Sequence, residues 1–162
     1  MLVTLDRWIY RGTAVAVMAL MAAMTAAIGL QVFCRYVLNA SLVWPEEFSR
    51  YAMVWVTCLA AGIAVRQAAH VGVDTVIRRL PDRLRRAVVL AGHLLTLVFL
   101  GVMLFFGVVM VGRVTGQTSA ALEISMTLPY AALPVGAALM LYEYLRLIVG
   151  WGVEAAAEDI GR

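Results

Sequence analysis

Four stretches of this chain carry almost no charge, and the ionisable positions gather between them. The first runs from Gly12 to Phe33. As a helix it covers about 33 Å, enough to cross a hydrocarbon core of ~30 Å. Arg7 and Arg11 precede it, an order that a secretory signal also shows. A signal's apolar core is typically ~7–15 residues, shorter than this run, so a retained span is the better reading. The second run, Tyr51 to Val65, gives only about 22 Å of helix. Its helix must start earlier, and Trp44-Pro45-Glu46-Glu47 supplies the start. Proline is tolerated in a first turn, and acids there face the positive end of the helix. The third run, Ala87 to Gly112, is interrupted only by His93 and Thr96. The fourth, Leu128 to Trp151, opens on Thr127 and Pro129. Pro134 is expected to bend its first turns, and Glu143 and Arg146 fall in its second half. The pattern predicts an all-α integral membrane protein, one membrane domain over residues 1–162 with helices at 12–34, 45–65, 87–112 and 128–151.

The intervening segments set the direction of the spans. Residues 66–86 hold six Arg against two Asp, with Val71, Val73, Val76 and Ile77 forming a weakly amphipathic stretch suited to the membrane surface. Basic residues stay preferentially on the cytoplasmic side. The 66–86 loop and both termini are therefore expected in the cytoplasm, and Arg7 and Arg11 agree. Segments 34–44 and 113–127 then lie outside.

Composition narrows the classes. Hydrophobic residues make up 64% of the 162-residue chain and charged residues 14%. A soluble domain averages roughly 45–50% apolar and about 25% charged. A soluble enzyme, a disordered tail and a disulfide-stapled secreted module are excluded. Net charge is +3, and all 13 basic residues are Arg. They cluster beside apolar runs, which fits a topology signal rather than a nucleic-acid face. The two cysteines, Cys34 and Cys58, have no metal-type spacing and read as packing residues.

Little in the chain looks catalytic. GxSxG, HExxH, P-loop and GxGxxG motifs are all missing, so no enzyme activity and no cofactor or metal is expected. His70 and His93 are the only histidines. A pair of histidines can ligate a haem between helices, which keeps a haem or quinone anchor subunit of a respiratory enzyme as the alternative. Their depths match poorly, and a hydrogen-bonded His93 is the plainer reading. Glu143 and Arg146 share a helix face and are expected to pair; contact with a partner helix is the sharper possibility. The outer ends of the first two spans bring together Arg35, Tyr36, Trp44, Glu46, Glu47, Arg50, Tyr51 and Trp55. Glu46 and Arg50 stand four apart and should pair, and Arg35 is placed to reach Glu47. Aromatic residues at this depth also serve as interface anchors. Small residues four apart, such as Ala60 with Ala64 and Ala132 with Gly136, allow close helix approach.

One stretch resembles a known family. Gln31-Val-Phe-Cys-Arg35-Tyr36, Asn39-Ala-Ser41, Trp44-Pro-Glu46-Glu47-Phe-Ser-Arg50-Tyr51 and Trp55 look like the signature of DctQ-type subunits. These are the small membrane subunits of tripartite ATP-independent periplasmic (TRAP) transporters. Gly62, His70 with Asp74, Leu80-Pro81, Ser119 with Leu122, and Pro134-Val-Gly136 follow in the family's order. One departure is Glu123-Ile124-Ser125-Met126, where the family often has a Gly-Ile-Pro-like turn. The resemblance implies an accessory subunit in a bacterial inner membrane. Such subunits bind a large many-helix membrane subunit that holds the substrate and coupling sodium ions. A periplasmic substrate-binding protein delivers an organic acid, and an ion gradient drives its uptake. The resemblance also makes Arg35, Tyr36, Trp44, Glu46, Glu47, Arg50 and Trp55 the structural and partner cluster. His70, Asp74, Glu143 and Arg146 are secondary candidates.

Overall fold

The computed structural model describes residues 2–68 and 81–160, and the structure there is helical. Helix α1 covers Leu2–Tyr36, α2 Trp44–Ala68 and α3 Asp82–Arg113; a single turn, α4, covers Thr127–Tyr130, and α5 covers Ala132–Ile160. Among the described residues, four helices are long and apolar enough to cross a membrane, as the pattern of apolar runs predicted. The helices extend past the apolar runs. Backbone hydrogen bonding does not stop where hydrocarbon would, so α1 begins ten residues before Gly12. His70, Asp74 and most of the 66–86 loop lie outside the described residues.

Helix α1 packs along a seam that steps by alternating four and three residues: Asp6, Tyr10, Thr13, Val17, Leu20, Met24, Ala27, Gln31 and Cys34 are all at least partly covered. That 3.5-residue period is the one that keeps a single stripe against a neighbouring helix. The neighbour is α2. Helix α2 packs in turn on α5, and α5 on α3. The order in space is thus α1–α2–α5–α3, a row. Burial follows position in that row. In the most apolar stretch of each span, 28% of positions are buried in α2 and in α5, against 6% in α1 and 11% in α3.

The middle of the row is tight because the backbones touch. A Cβ built on Gly136 would lie 2.6 Å from Cys58 Cβ and 2.9 Å from the Cys58 carbonyl oxygen, so glycine alone fits there. Gly107 meets Pro134 in the same way, at 3.1 Å. Pro134, in the first turn of α5, has no N–H to offer the Tyr130 carbonyl one turn back, and α4 and α5 are separated at Ala131. Both cysteines are buried free thiols, in keeping with a packing role.

Candidate functional site

Two polar sites sit at opposite ends of the helices, one at the start of α2 and one at its end. The first begins with segment 114–126, whose backbone folds on itself. Ser119 N–H donates to the Ile124 carbonyl (2.9 Å) and Met126 N–H to the Gln117 carbonyl (2.9 Å), with an isolated antiparallel bridge between Thr118 and Ser125. This leaves the amides at the tip without partners inside the hairpin. Glu47, in the first turn of α2, supplies them. Its Oε2 accepts from Ala121 N–H at 2.7 Å and Leu122 N–H at 3.0 Å. Its Oε1 accepts from the Tyr51 hydroxyl at 2.6 Å. One turn further, Trp55 Nε1 donates to the Leu128 carbonyl at 3.2 Å. Glu47, Tyr51 and Trp55 are spaced four apart, so one face of α2 clasps the whole connection from 121 to 128.

The tip turns at Glu123, whose φ is +53°. Glycine is the residue that adopts such a left-handed conformation without penalty. Glu123→Gly is expected to stabilise the protein by up to about 1 kcal/mol, read as a higher unfolding temperature in detergent. An unchanged or lower midpoint would mean the glutamate side chain is used elsewhere. Asn39, φ +50°, turns the other connection on the same side, where Gln31 Nε2 donates to the Leu42 carbonyl at 3.3 Å.

The sequence-predicted outer cluster is therefore split. Glu46 and Arg50 do pair, at 3.2 Å, but with two-thirds of each side chain exposed. Arg35, Tyr36 and Trp44 are also exposed. Glu47 turns away from this outward group. Its oxygens are taken by Tyr51 and the loop amides rather than by Arg35.

The second site joins the start of α1 to the end of α2 and the second half of α5. Arg66 faces Asp6 with two parallel bonds, Nη1 to Oδ1 at 3.2 Å and Nη2 to Oδ2 at 3.0 Å. Its Nη1 also stands 3.5 Å from Glu143 Oε1. Arg146 pairs with Asp6 and lies 4.0 Å from Glu143. The Arg66 guanidinium covers the Tyr10 ring, 4.5 Å from its centroid. Two carboxylates and two guanidinium groups balance each other here. The Glu143 and Asp6 side chains are only 7% and 13% exposed. The expected Glu143–Arg146 pair is present, yet Arg66 is the nearer cation. Sequence reasoning missed Asp6, Tyr10 and Arg66, having assigned Arg66 to the basic loop. The seam spacing of α1, which starts at Asp6, was the available signal. His93 sits between α3 and α5 with Nδ1 2.8 Å from the Tyr144 hydroxyl, the hydrogen-bonded reading.

Among the described residues no three His, Cys, Asp or Glu side chains are grouped to hold a metal. The first three apolar runs hold no carboxylate or guanidinium group, and in the fourth Glu143 and Arg146 are tied into the cluster at the second site. The arrangement ties connections and helix ends together and offers no reacting group.

A family model described as tripartite ATP-independent periplasmic transporters, DctQ component, matches residues 24–151. The chain is 34% identical over 113 residues to the C4-dicarboxylate TRAP transporter small permease protein DctQ of Rhodobacter capsulatus, covering 68% of this chain and 50% of that protein. It therefore spans half the length of that relative. It is 29% identical over 129 residues to the sialic acid TRAP transporter small permease protein SiaQ of Vibrio cholerae, covering 80% of this chain and 75% of that one. The sialic acid TRAP transporter permease protein SiaT of Haemophilus influenzae is also 29% identical, over 72% of this chain, but the match takes up only 19% of SiaT.

Proposed function

The chain belongs to the DctQ component family of tripartite ATP-independent periplasmic transporters, and from that premise we propose that it braces a large many-helix permease subunit during ion-gradient-driven uptake of an organic acid. It is a multi-pass membrane protein and a transporter subunit rather than an enzyme. In this reading it resides in a bacterial inner membrane with both termini cytoplasmic. The coupling ion is sodium, and a periplasmic binding protein delivers the substrate to the outer face. The observation that carries the reading is the match to a fifth of SiaT, a much longer permease protein in which the region like this chain is one part. The row of helices supports it too. Its first helix α1 is barely covered, which suits a piece of scaffold built to stand against something larger. The first three apolar runs hold no carboxylate or guanidinium group, and Glu143 and Arg146 of the fourth are paired, which fits a chain that carries nothing across by itself.

The test is purification of this chain in mild detergent from its native membrane, followed by mass spectrometry and sodium-driven uptake. A many-helix partner is expected to co-purify. Arg50→Ala is expected to weaken that co-purification and slow uptake. The exposed Glu46–Arg50 pair contributes well under about 1 kcal/mol to folding, so a folding defect would not explain the loss. Normal assembly and uptake in Arg50→Ala would remove the outward group from the partner surface. A haem absorbance band with soluble redox subunits would replace the reading by a respiratory anchor.

A further inference from the structure

Beside the Gly107–Pro134 contact, α3 and α5 leave a groove of about 340 Å³. Met103, Phe106, Gly107, Met110 and Leu133 line it, and Arg113 stands at its end. Gly107 brings the two helices together, because a Cβ there would press on Pro134. The larger neighbours then stand clear and open the space. The groove follows the axis of α3 from Met103 to Arg113, ten residues, or about 15 Å. That is half of a ~30 Å hydrocarbon core, so the groove matches the depth of one leaflet. Arg113 lies in the last turn of α3, where the span ends and headgroups begin. It is exposed and has no ion-pair partner among the described residues.

We propose that this groove is a phospholipid site, with one acyl chain lying between α3 and α5 and the phosphate held by Arg113. A guanidinium binds phosphate through two parallel hydrogen bonds, and an otherwise unpaired arginine at headgroup depth has those donors free. The apolar lining with one polar group at the end is the usual design of a site that orients a ligand. The rest of the uncovered face of α3 supports lipid over a protein helix. It carries Leu94, Leu95, Phe99 and Phe105, all more than half exposed, whereas helices that dock in membranes favour small residues at the contact. The site needs only that α3 and α5 span the bilayer; it does not depend on the identity of the large subunit.

The experiment uses the assembled transporter in vesicles of phosphatidylethanolamine and phosphatidylglycerol, doped with a phosphatidylglycerol that carries a photoreactive diazirine in its acyl chain. After illumination the labelled peptides of this chain are mapped. Label is expected to concentrate on Met103, Phe106, Met110 and Leu133. Arg113→Ala should lower it roughly tenfold, the loss of one strong charge-assisted contact, while Arg113→Lys keeps most of it. Met110→Trp, which fills the groove, should also remove label from Met103 and Phe106. Vesicles holding this chain without the large subunit should give the same map, which separates failure here from failure to assemble. Even label along α3, including Leu95 and Phe99, and indifference to Arg113→Ala would reduce the groove to ordinary lipid contact and overturn the proposal. So would protection of the groove in the complex with label appearing when the chain stands alone, which would give the groove to the large subunit.

Discussion

Arg66→Ala should destabilise the helix row by about 3–5 kcal/mol, the range for removing one partner from a buried ion pair. The reason is the neighbourhood of the two acids. Arg66 makes the forked contact to Asp6 and is the nearest cation to Glu143. Without it, two carboxylates share Arg146 alone, and Glu143 is nearly sealed from solvent. One Glu143 oxygen, Oε2, is already buried without a hydrogen-bond partner. The effect falls toward the lower end because Arg66 itself is a quarter exposed. Arg66→Lys keeps the charge but loses the fork and the flat contact with Tyr10, so it should sit between wild type and Arg66→Ala. The decisive control is Asp6→Asn combined with Arg66→Ala. It leaves Glu143 and Arg146 as a balanced pair, so its loss should be clearly smaller than the sum of the two single losses. Unfolding of the purified subunit, followed by helical circular dichroism in detergent, reads the wild type and the four variants. Strict additivity would mean that Asp6 and Arg66 do not act on each other.

How the four spans could be read from sequence, while this cluster could not, has a physical cause. A bilayer accepts few solutions, so an apolar run of sufficient length has only one use. The second span was too short by composition, and the Trp44-Pro45-Glu46-Glu47 start placed its beginning at 45, one residue from Trp44, where α2 begins. Local pairs were equally legible, since four residues along a helix bring Glu46 to Arg50 whatever the rest of the chain does. Asp6, Arg66 and Arg146 meet only because α1, α2 and α5 are neighbours. Each has an adequate local explanation: an acid near the chain start, a basic residue opening a basic loop, a partner for Glu143. The α1 seam reaches back to Asp6 and draws that acid inward, but nothing in the sequence removes the local explanations for Arg66 and Arg146. Pro134 was expected to bend the first turns of the fourth span; the helix is instead interrupted at Ala131, with Pro134 in the first turn of α5.

Glu47 is the clearest case of a role hidden from sequence, and its replacement gives the second large effect. Its partners are backbone amides 74 and 75 residues away, and an amide has no residue type to betray it. In Glu47→Ala the amides of Ala121 and Leu122 lose a charged acceptor, and the Tyr51 hydroxyl loses its carboxylate acceptor and keeps only the longer contact to Met126 Sδ at 3.4 Å. Hydrogen exchange at those two amides should accelerate by roughly tenfold or more, as expected when a local bond to a charged group is lost without global unfolding. Glu47→Gln keeps one acceptor oxygen in place and should show a smaller acceleration. The exchange of α2 and α5 should change far less, because the Gly136–Cys58 contact that joins them lies several turns away. If the connection from 121 to 128 is part of the surface met by the large subunit, co-purification should fall together with protection in this series. Unaltered exchange at Ala121 and Leu122 would show that the hairpin holds its own tip. Faster exchange with full assembly would instead confine Glu47 to ordering the loop. The position thus separates two roles that the family signature runs together: Glu46 faces outward beside Arg50, while Glu47 fixes the shape of the connection behind it.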